Sequence, residues 1–124
     1  MRFLLTSDVS PDAAEVLREL GHKPTDFAEA GIAADVAGKP LLEAARTRQL
    51  ELMTSDRALV EQILPGSGAT HVFGRVIVQL PADAEQHAEA LAMLFSRFKR
   101  LSPGRLYSIT PGGAKARQLP TNTD

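Results

Sequence analysis

Apolar and polar positions alternate along the chain in two kinds of block. Leu50-Glu51-Leu52-Met53 is a short, largely apolar run that reaches Thr54-Ser55-Asp56. It then gives way to Arg57–Leu64, where Leu59, Val60, Ile63 and Leu64 fall at helical spacing and Pro65-Gly66 stops the pattern. The same order stands near the start, where Phe3-Leu4-Leu5 leads into Thr6-Ser7-Asp8 and then Ser10-Pro11. The pattern predicts strands at residues 2–5 and 50–53, each ending in Thr-Ser-Asp and each followed by a helix. In the first helix Ser10 is the N-cap and Pro11 the first helical residue. Ala13, Val16, Leu17 and Leu20 give one apolar face, and Gly21 ends it.

Between these blocks His22–Phe27 reads as a short edge strand, because Pro24 has no backbone donor. Residues 28–38 are rich in Ala and Gly without a period and read as a loop or a short helical turn. From Pro40 a short amphipathic helix carries Leu41, Leu42, Ala44 and Ala45 into the strand at 50–53. Residues 65–70 form a turn-rich stretch. His71–Leu80 is β-rich, interrupted by Gly74 and centred on Val76–Val78. Ala82–Phe98 is the longest helical pattern, with Ala84, Ala88, Leu91, Leu94, Phe95 and Phe98 on its expected buried face. Asp83 and Glu85 at its start and Arg97, Lys99 and Arg100 at its end match the helix dipole. Leu106–Thr110 and Ala114–Leu119 flank Pro111-Gly112-Gly113 as a terminal hairpin.

Strands alternating with helices place the chain in the α/β class, with a mainly parallel twisted sheet covered on both faces. With 124 residues and 44% hydrophobic content, one domain is expected over residues 1–119, followed by a flexible tail at 120–124. The absence of cysteine excludes disulfides, thiolate metal sites and cysteine nucleophiles. A formal charge of −1 argues against a wholly basic nucleic-acid binder. The opening apolar run is too short for a signal peptide, and none approaches the roughly 20 residues needed to cross a bilayer, so a cytoplasmic location with no membrane partner is expected.

The chemistry that stands out is the pair of strand-end carboxylates. In an open α/β sheet, ligands bind outside the carboxyl ends of the strands, where strand order reverses. If the first and third strands are neighbours, Asp8 and Asp56 face one cleft, lined also by Thr6, Ser7, Thr54 and Ser55. Asp56 is equally well read as the cap of the following helix, and Asp8 as the acceptor of an Asx-turn. His22, His71 and His87 lack metal-ligand spacing and read as surface or helix-end residues. Ser7 and Ser55 lack a paired histidine, and neither glycine-rich turn is followed by Gly-Lys-Ser/Thr. From Arg97 onward six basic residues (Arg97, Lys99, Arg100, Arg105, Lys115 and Arg117) face one acidic residue, Asp124. The first four are candidate contacts to RNA or DNA phosphates. Helix-end charges and a solvated edge strand explain the same residues without a ligand. Part of the Leu91–Phe98 face is a candidate homodimer surface.

Several stretches together resemble the PIN-like domain family related to VapC-type toxins, in particular a small bacterial branch. Phe3–Pro11 and Leu17-Arg18-Glu19-Leu20-Gly21-His22 are similar to that branch's opening. Leu41–Ala45, Met53–Leu59, Gly74–Pro81 and Thr110-Pro111-Gly112 are similar to its middle and close. The resemblance implies a three-layer α/β/α sandwich. It further implies a metal-dependent endoribonuclease of the toxin–antitoxin kind, in which three or four carboxylates hold Mg²⁺ or Mn²⁺ that activates water against a phosphodiester. In this chain the family's acid positions fall on Thr6, Gly38 and Ala58; Asp56 remains at an acidic position and Asp8 stands where the family has Asn. Asp35 reaches the middle position if the loop shifts by three residues. The expectation is a PIN-like binding or regulatory module with a lost or reduced nuclease centre, and with no cofactor or a weakly held Mg²⁺ or Mn²⁺. The alternative is an active ribonuclease using Asp8, Asp56 and Asp35 as metal and catalytic residues. RNA, an antitoxin-like protein and a second copy of the chain are the partners implied.

Overall fold

The first and third apolar runs do lie side by side. In a computed structural model that describes residues 1–61, 75–110 and 112–118, β1 (Arg2–Leu5) pairs in parallel with β3 (Glu51–Thr54), Leu4 opposite Leu52 and Leu5 opposite Met53. The other flank of β1 carries β2 (Lys23–Thr25), also parallel. Beyond β3 come β4 (Ile77–Gln79), parallel, then β5 (Arg105–Thr110), parallel, and β6 (Gly113–Gln118), antiparallel to β5. The order is β2-β1-β3-β4-β5-β6, so the chain reverses its direction of sheet growth between β1 and β3.

Helices cover both faces, as the alternating pattern requires. On one face α1 (Pro11–Glu19) and α5 (His87–Arg97) pack through Ala13, Leu17, Leu91 and Leu94 onto Phe3, Leu5, Met53, Val78 and Tyr107. On the other, α3 (Gly38–Thr47) and α4 (Arg57–Glu61) set Leu41, Leu42, Leu59 and Val60 against Leu4, Leu52, Ile77 and Leu106. The result is a three-layer α/β/α sandwich. Burial on both faces explains why the central strands read as continuous apolar runs rather than alternating ones. Both edges are guarded. β2 carries Pro24, and the outer β6 carries exposed Lys115 and Arg117.

The local signals act as expected at several corners. Ser10 accepts from the Ala13 N–H with Pro11 opening α1, and Gly21, with φ of 85°, follows the helix end in the left-handed region. Others differ. Residues 26–31 form a capped short helix, α2 (Phe27–Ala30), in which Asp26 accepts from Glu29 N–H and the Glu29 carboxylate accepts from Asp26 N–H. Leu20 is 47% exposed, because it caps α1 past the apolar stripe. The Ala82–Phe98 pattern begins as a 3₁₀ turn at Ala84–Gln86 rather than α-helix. Its inward face carries the expected Leu91 and Leu94, with Phe95 and Phe98 half-buried against the same core, and adds His87 and Ala90, while Ala84 is exposed. The expected core positions Ile63 and Leu64, the turn at 65–70, His71–Gly74, Pro111 and the tail at 120–124 lie outside the described residues.

Two histidines expected at the surface or at helix ends do stand at helix ends, and both are structural. His87 is fully buried: its Nδ1 accepts from Ser10 N–H at 3.1 Å, so its Nε2 carries the proton donated to Pro81 O at 2.7 Å. One ring thereby ties the start of α1 to the connection after β4. His22 stacks on Phe95 at 4.7 Å between ring centroids and meets Phe3 edge-on at 5.8 Å. Burial there, and then the positive amino group of Met1, hold its pKa below the ordinary histidine value. Glu51, buried in β3, accepts from Val76 N–H and pairs with Arg75 at 2.8 Å.

Replacing His87 with Ala leaves the Ser10 N–H and Pro81 carbonyl unpaired beside a cavity. Urea unfolding is expected to register a loss of about 2–4 kcal/mol. His22 gives the fold a pH dependence. Because its folded pKa is depressed, the unfolded chain takes up the proton first. The stability that depends on a neutral ring is complete above about pH 6.5 and is lost as pH falls through the lower folded value. Urea midpoints measured from pH 7.5 downward are expected to fall further for the wild type than for His22→Gln.

Candidate functional site

The point where sheet growth reverses is where the two Thr-Ser-Asp corners meet. β1 and β3 are in register, so Thr6 and Thr54 leave the sheet together, and Thr6 N–H still donates to Met53 O at 3.2 Å. Their side chains meet as well, with Thr6 Oγ1 lying 2.8 Å from Thr54 Oγ1 and against Asp8 Oδ1. A hydroxyl has one proton and a carboxylate only accepts. The Thr6 proton therefore goes to Asp8 and that of Thr54 to Thr6, while Thr54 Oγ1 accepts from Asp56 N–H at 3.0 Å. Across the same gap Ser55 Oγ donates to Asp8 Oδ2 at 2.9 Å. Both oxygens of Asp8 are thus engaged by hydroxyls, one from each corner.

Asp56 serves its own helix. Its Oδ1 accepts from Ala58 N–H at 3.0 Å and from Leu59 N–H at 3.3 Å, which satisfies two of the open donors at the start of α4. The capping reading of Asp56 is the one the geometry realises. The Asx-turn expected of Asp8 is replaced by the two hydroxyl contacts, and the turn itself is closed by Val9 N–H on Thr6 O.

In front of this network lies a cleft of about 410 Å³. Asp8, Asp35 and Asp56 all line it, with Thr6, Ser7, Gly38 and Ala58. Thr54 is buried behind it, and Ser55 opens instead onto a neighbouring hollow over the ends of β4 and β5. Phe27, Val36 and Leu41 make an apolar wall that the sequence reading did not assign. The signal for Phe27 was present in Asp26-Phe27-Ala28-Glu29, whose Asp-x-x-Glu spacing sets the α2 cap and so the position of the ring. A second recess of about 480 Å³ shares Thr6, Ser7, Phe27 and Ala34 and runs on between Pro11, Ala14 and Pro24.

The residues present do not fit the cation that the resemblance implies. Mg²⁺ asks for near-octahedral oxygen ligands at about 2.0–2.1 Å. Among the described residues, no group of three or more His, Cys, Asp or Glu side chains is placed to hold a metal ion. Asp35 shares the cleft with Asp8 and Asp56 without completing such a group. Among the described residues of the cleft no nucleophile is paired with a base either. Ser7 has no recorded side-chain partner among the described residues, and Ser55 donates to a carboxylate already held by Thr6. What the arrangement offers is an acid-lined recess with an apolar side and a rigid polar floor.

The four basic candidates lie elsewhere. Arg105 opens β5, and Arg97, Lys99 and Arg100 end α5 and the connection into it. With β1, β3, β4 and β5 parallel, that is the opposite rim of the sheet from Asp8 and Asp56. All four are exposed, and they do not flank the cleft. Among the described residues no helix is long and apolar enough to cross a membrane.

Thr54→Val keeps the shape but leaves the Asp56 N–H without its acceptor and the Thr6 oxygen without its donor. A loss of about 1–2 kcal/mol in urea unfolding is expected. Asp56→Ala, which removes the α4 cap, is expected to cost about 0.5–2 kcal/mol in the same measurement. No protein-family model, curated protein or solved structure matches the chain.

Proposed function

We propose that the protein is a PIN-like domain whose nuclease centre has been reduced to a binding site, and that it acts as a binding or regulatory module. The observation that carries this reading is the use made of the two retained carboxylates. Asp8 is held on both oxygens by Thr6 and Ser55, and Asp56 caps α4. Oxygens engaged in this way are weakened as ligands for a hard cation, which would compete with the internal hydrogen bonds for their lone pairs. Thr6, Gly38 and Ala58, at the positions where the family carries acids, line the same cleft and supply no carboxylate.

A cleft with three aspartates and an apolar wall favours a partner that brings hydrogen-bond donors or positive charge. An antitoxin-like protein segment suits that surface better than the phosphates of RNA, which the unneutralised carboxylates repel. Binding is its role here; hydrolysis would need a metal set that the described residues do not provide.

Calorimetric titration of Mn²⁺ is expected to give no saturable binding in the wild type and no difference in Asp8→Asn or Asp56→Asn. Incubation with mixed RNA and Mn²⁺ or Mg²⁺ is expected to leave the RNA intact. Metal-dependent cleavage that disappears in Asp56→Ala overturns the proposal in favour of an active ribonuclease.

A further inference from the structure

At the opposite rim, each of the parallel strands is entered through a basic residue. Lys23 is the first residue of β2, Arg2 of β1 and Arg105 of β5, while Arg48 and Arg75 lie just before β3 and β4. Read across the sheet in the order β2-β1-β3-β4-β5, these residues form a row. Neighbouring strands are about 4.8 Å apart, so the row is closely spaced, with the charge of Arg75 offset by Glu51.

One end of that row closes around a cavity of about 340 Å³, lined by Arg2, Lys23 and Arg48 with Thr25, Glu29 and Leu50. Its two arginines are fixed by carbonyls and not by carboxylates. Arg48 Nε donates to Ala30 O at 2.7 Å and its Nη1 to Ala44 O at 3.1 Å, across the ends of α2 and α3. Arg2 Nη2 donates to Arg48 O at 3.0 Å. Among the described residues none of the three cations is in an ion pair, whereas Arg18, Arg46 and Arg75 all are. Glu29 is the one acid on the lining, and its Oε1 accepts from Asp26 N–H. Three cations against one carboxylate leave two positive charges around a hollow that no side chain fills.

We propose that this cavity binds a phosphate group and anchors a phosphate-bearing ligand along the rim toward Arg105, Lys99 and Arg100. A phosphate brings up to two negative charges and three acceptor oxygens, which matches the two surplus charges and the guanidinium donors that Arg2 keeps open, while Arg48, held by the Ala30, Ala44 and Gly31 carbonyls, adds its charge. An isolated carboxylate matches half that charge. The cavity fits equally the phosphate of a small phosphomonoester and that of a nucleic-acid backbone, and the row beyond it favours the chain. The face stands apart from the Asp8–Asp56 cleft, so it does not depend on how that cleft is used.

The test is an amide NMR titration of the full chain with inorganic phosphate, with short oligouridylate and with polyglutamate, repeated on Arg2→Gln/Lys23→Gln. In the wild type, phosphate and oligouridylate are expected to shift the amides of Arg2, Lys23, Gly31 and Arg48. The double variant is expected to weaken both about tenfold or more, and to lower the salt dependence of oligouridylate binding by about 1.4 in the log–log slope. Oligouridylate binding more tightly than phosphate, with shifts running on to Arg105, supports a nucleic-acid source; equal binding supports a small phosphate ester. Polyglutamate is expected to bind more weakly than either. No shifts with any probe, shifts confined to Asp8 and Asp56, unchanged affinity in the double variant, or equal binding of polyglutamate each overturn the proposal. Because the shift map is read on the wild type, the outcome does not hang on the variant's fold.

Discussion

The contact between the hydroxyls of Thr6 and Thr54 is the one on which the site depends. Parallel pairing of β1 and β3 brings the corners level, but register alone does not decide where the side chains beyond the strands point. The hydroxyl chain from Asp56 N–H through Thr54 and Thr6 to Asp8 makes that decision. It also fixes the starts of two helices on opposite faces of the sheet, since Ser10 opens α1 shortly after Asp8 and Asp56 opens α4. Two short polar segments, each able to satisfy itself locally, instead satisfy each other around the buried Thr54, and a polar network of that kind specifies one arrangement.

The strands, the α/β class and the corner adjacency were legible because the signals were of a kind that burial reinforces. Apolar runs such as Phe3–Leu5 and Val76–Val78 had to be covered, and Ser10-Pro11 and Gly21 mark helix ends through backbone geometry alone. What escaped was polar and satisfied. His87 and Glu51 look like surface residues in one dimension because their partners, Ser10 and Pro81 for one and Arg75 and Val76 for the other, are distant in the chain or hidden on the next strand. His87 was missed on the inward face of α5 for the same reason, since it is not apolar. Of the site, Asp8 and Asp56 were legible as facing one cleft and Asp35 only through a shift of its loop, whereas the internal use of the Asp8 and Asp56 oxygens was not, since their partners leave no periodic trace.

The charges sort along the strand axis. Helices that return over a parallel sheet all begin at one rim and end at the other. Acids at helix starts (Asp12, Asp26, Asp56 and Asp83) collect where the strands end, and bases in last turns (Arg18, Arg46 and Arg97) collect where the strands begin. The macrodipole of each helix favours that placement. A chain close to neutral overall therefore presents one acidic rim and one basic rim. The strand-entry residues Arg2, Lys23 and Arg105 deepen the asymmetry beyond what the helix ends require.

Pro24 on one outer strand and Lys115 with Arg117 on the other bear on how copies of the molecule behave at high concentration. A sheet grows by offering free backbone donors and acceptors along a strand that another chain can approach. Here one border lacks a donor in mid-strand and the other would set like charges against one another. The sheet is consequently self-limiting, and crowding of copies finds no easy route to fibre-like extension through its borders.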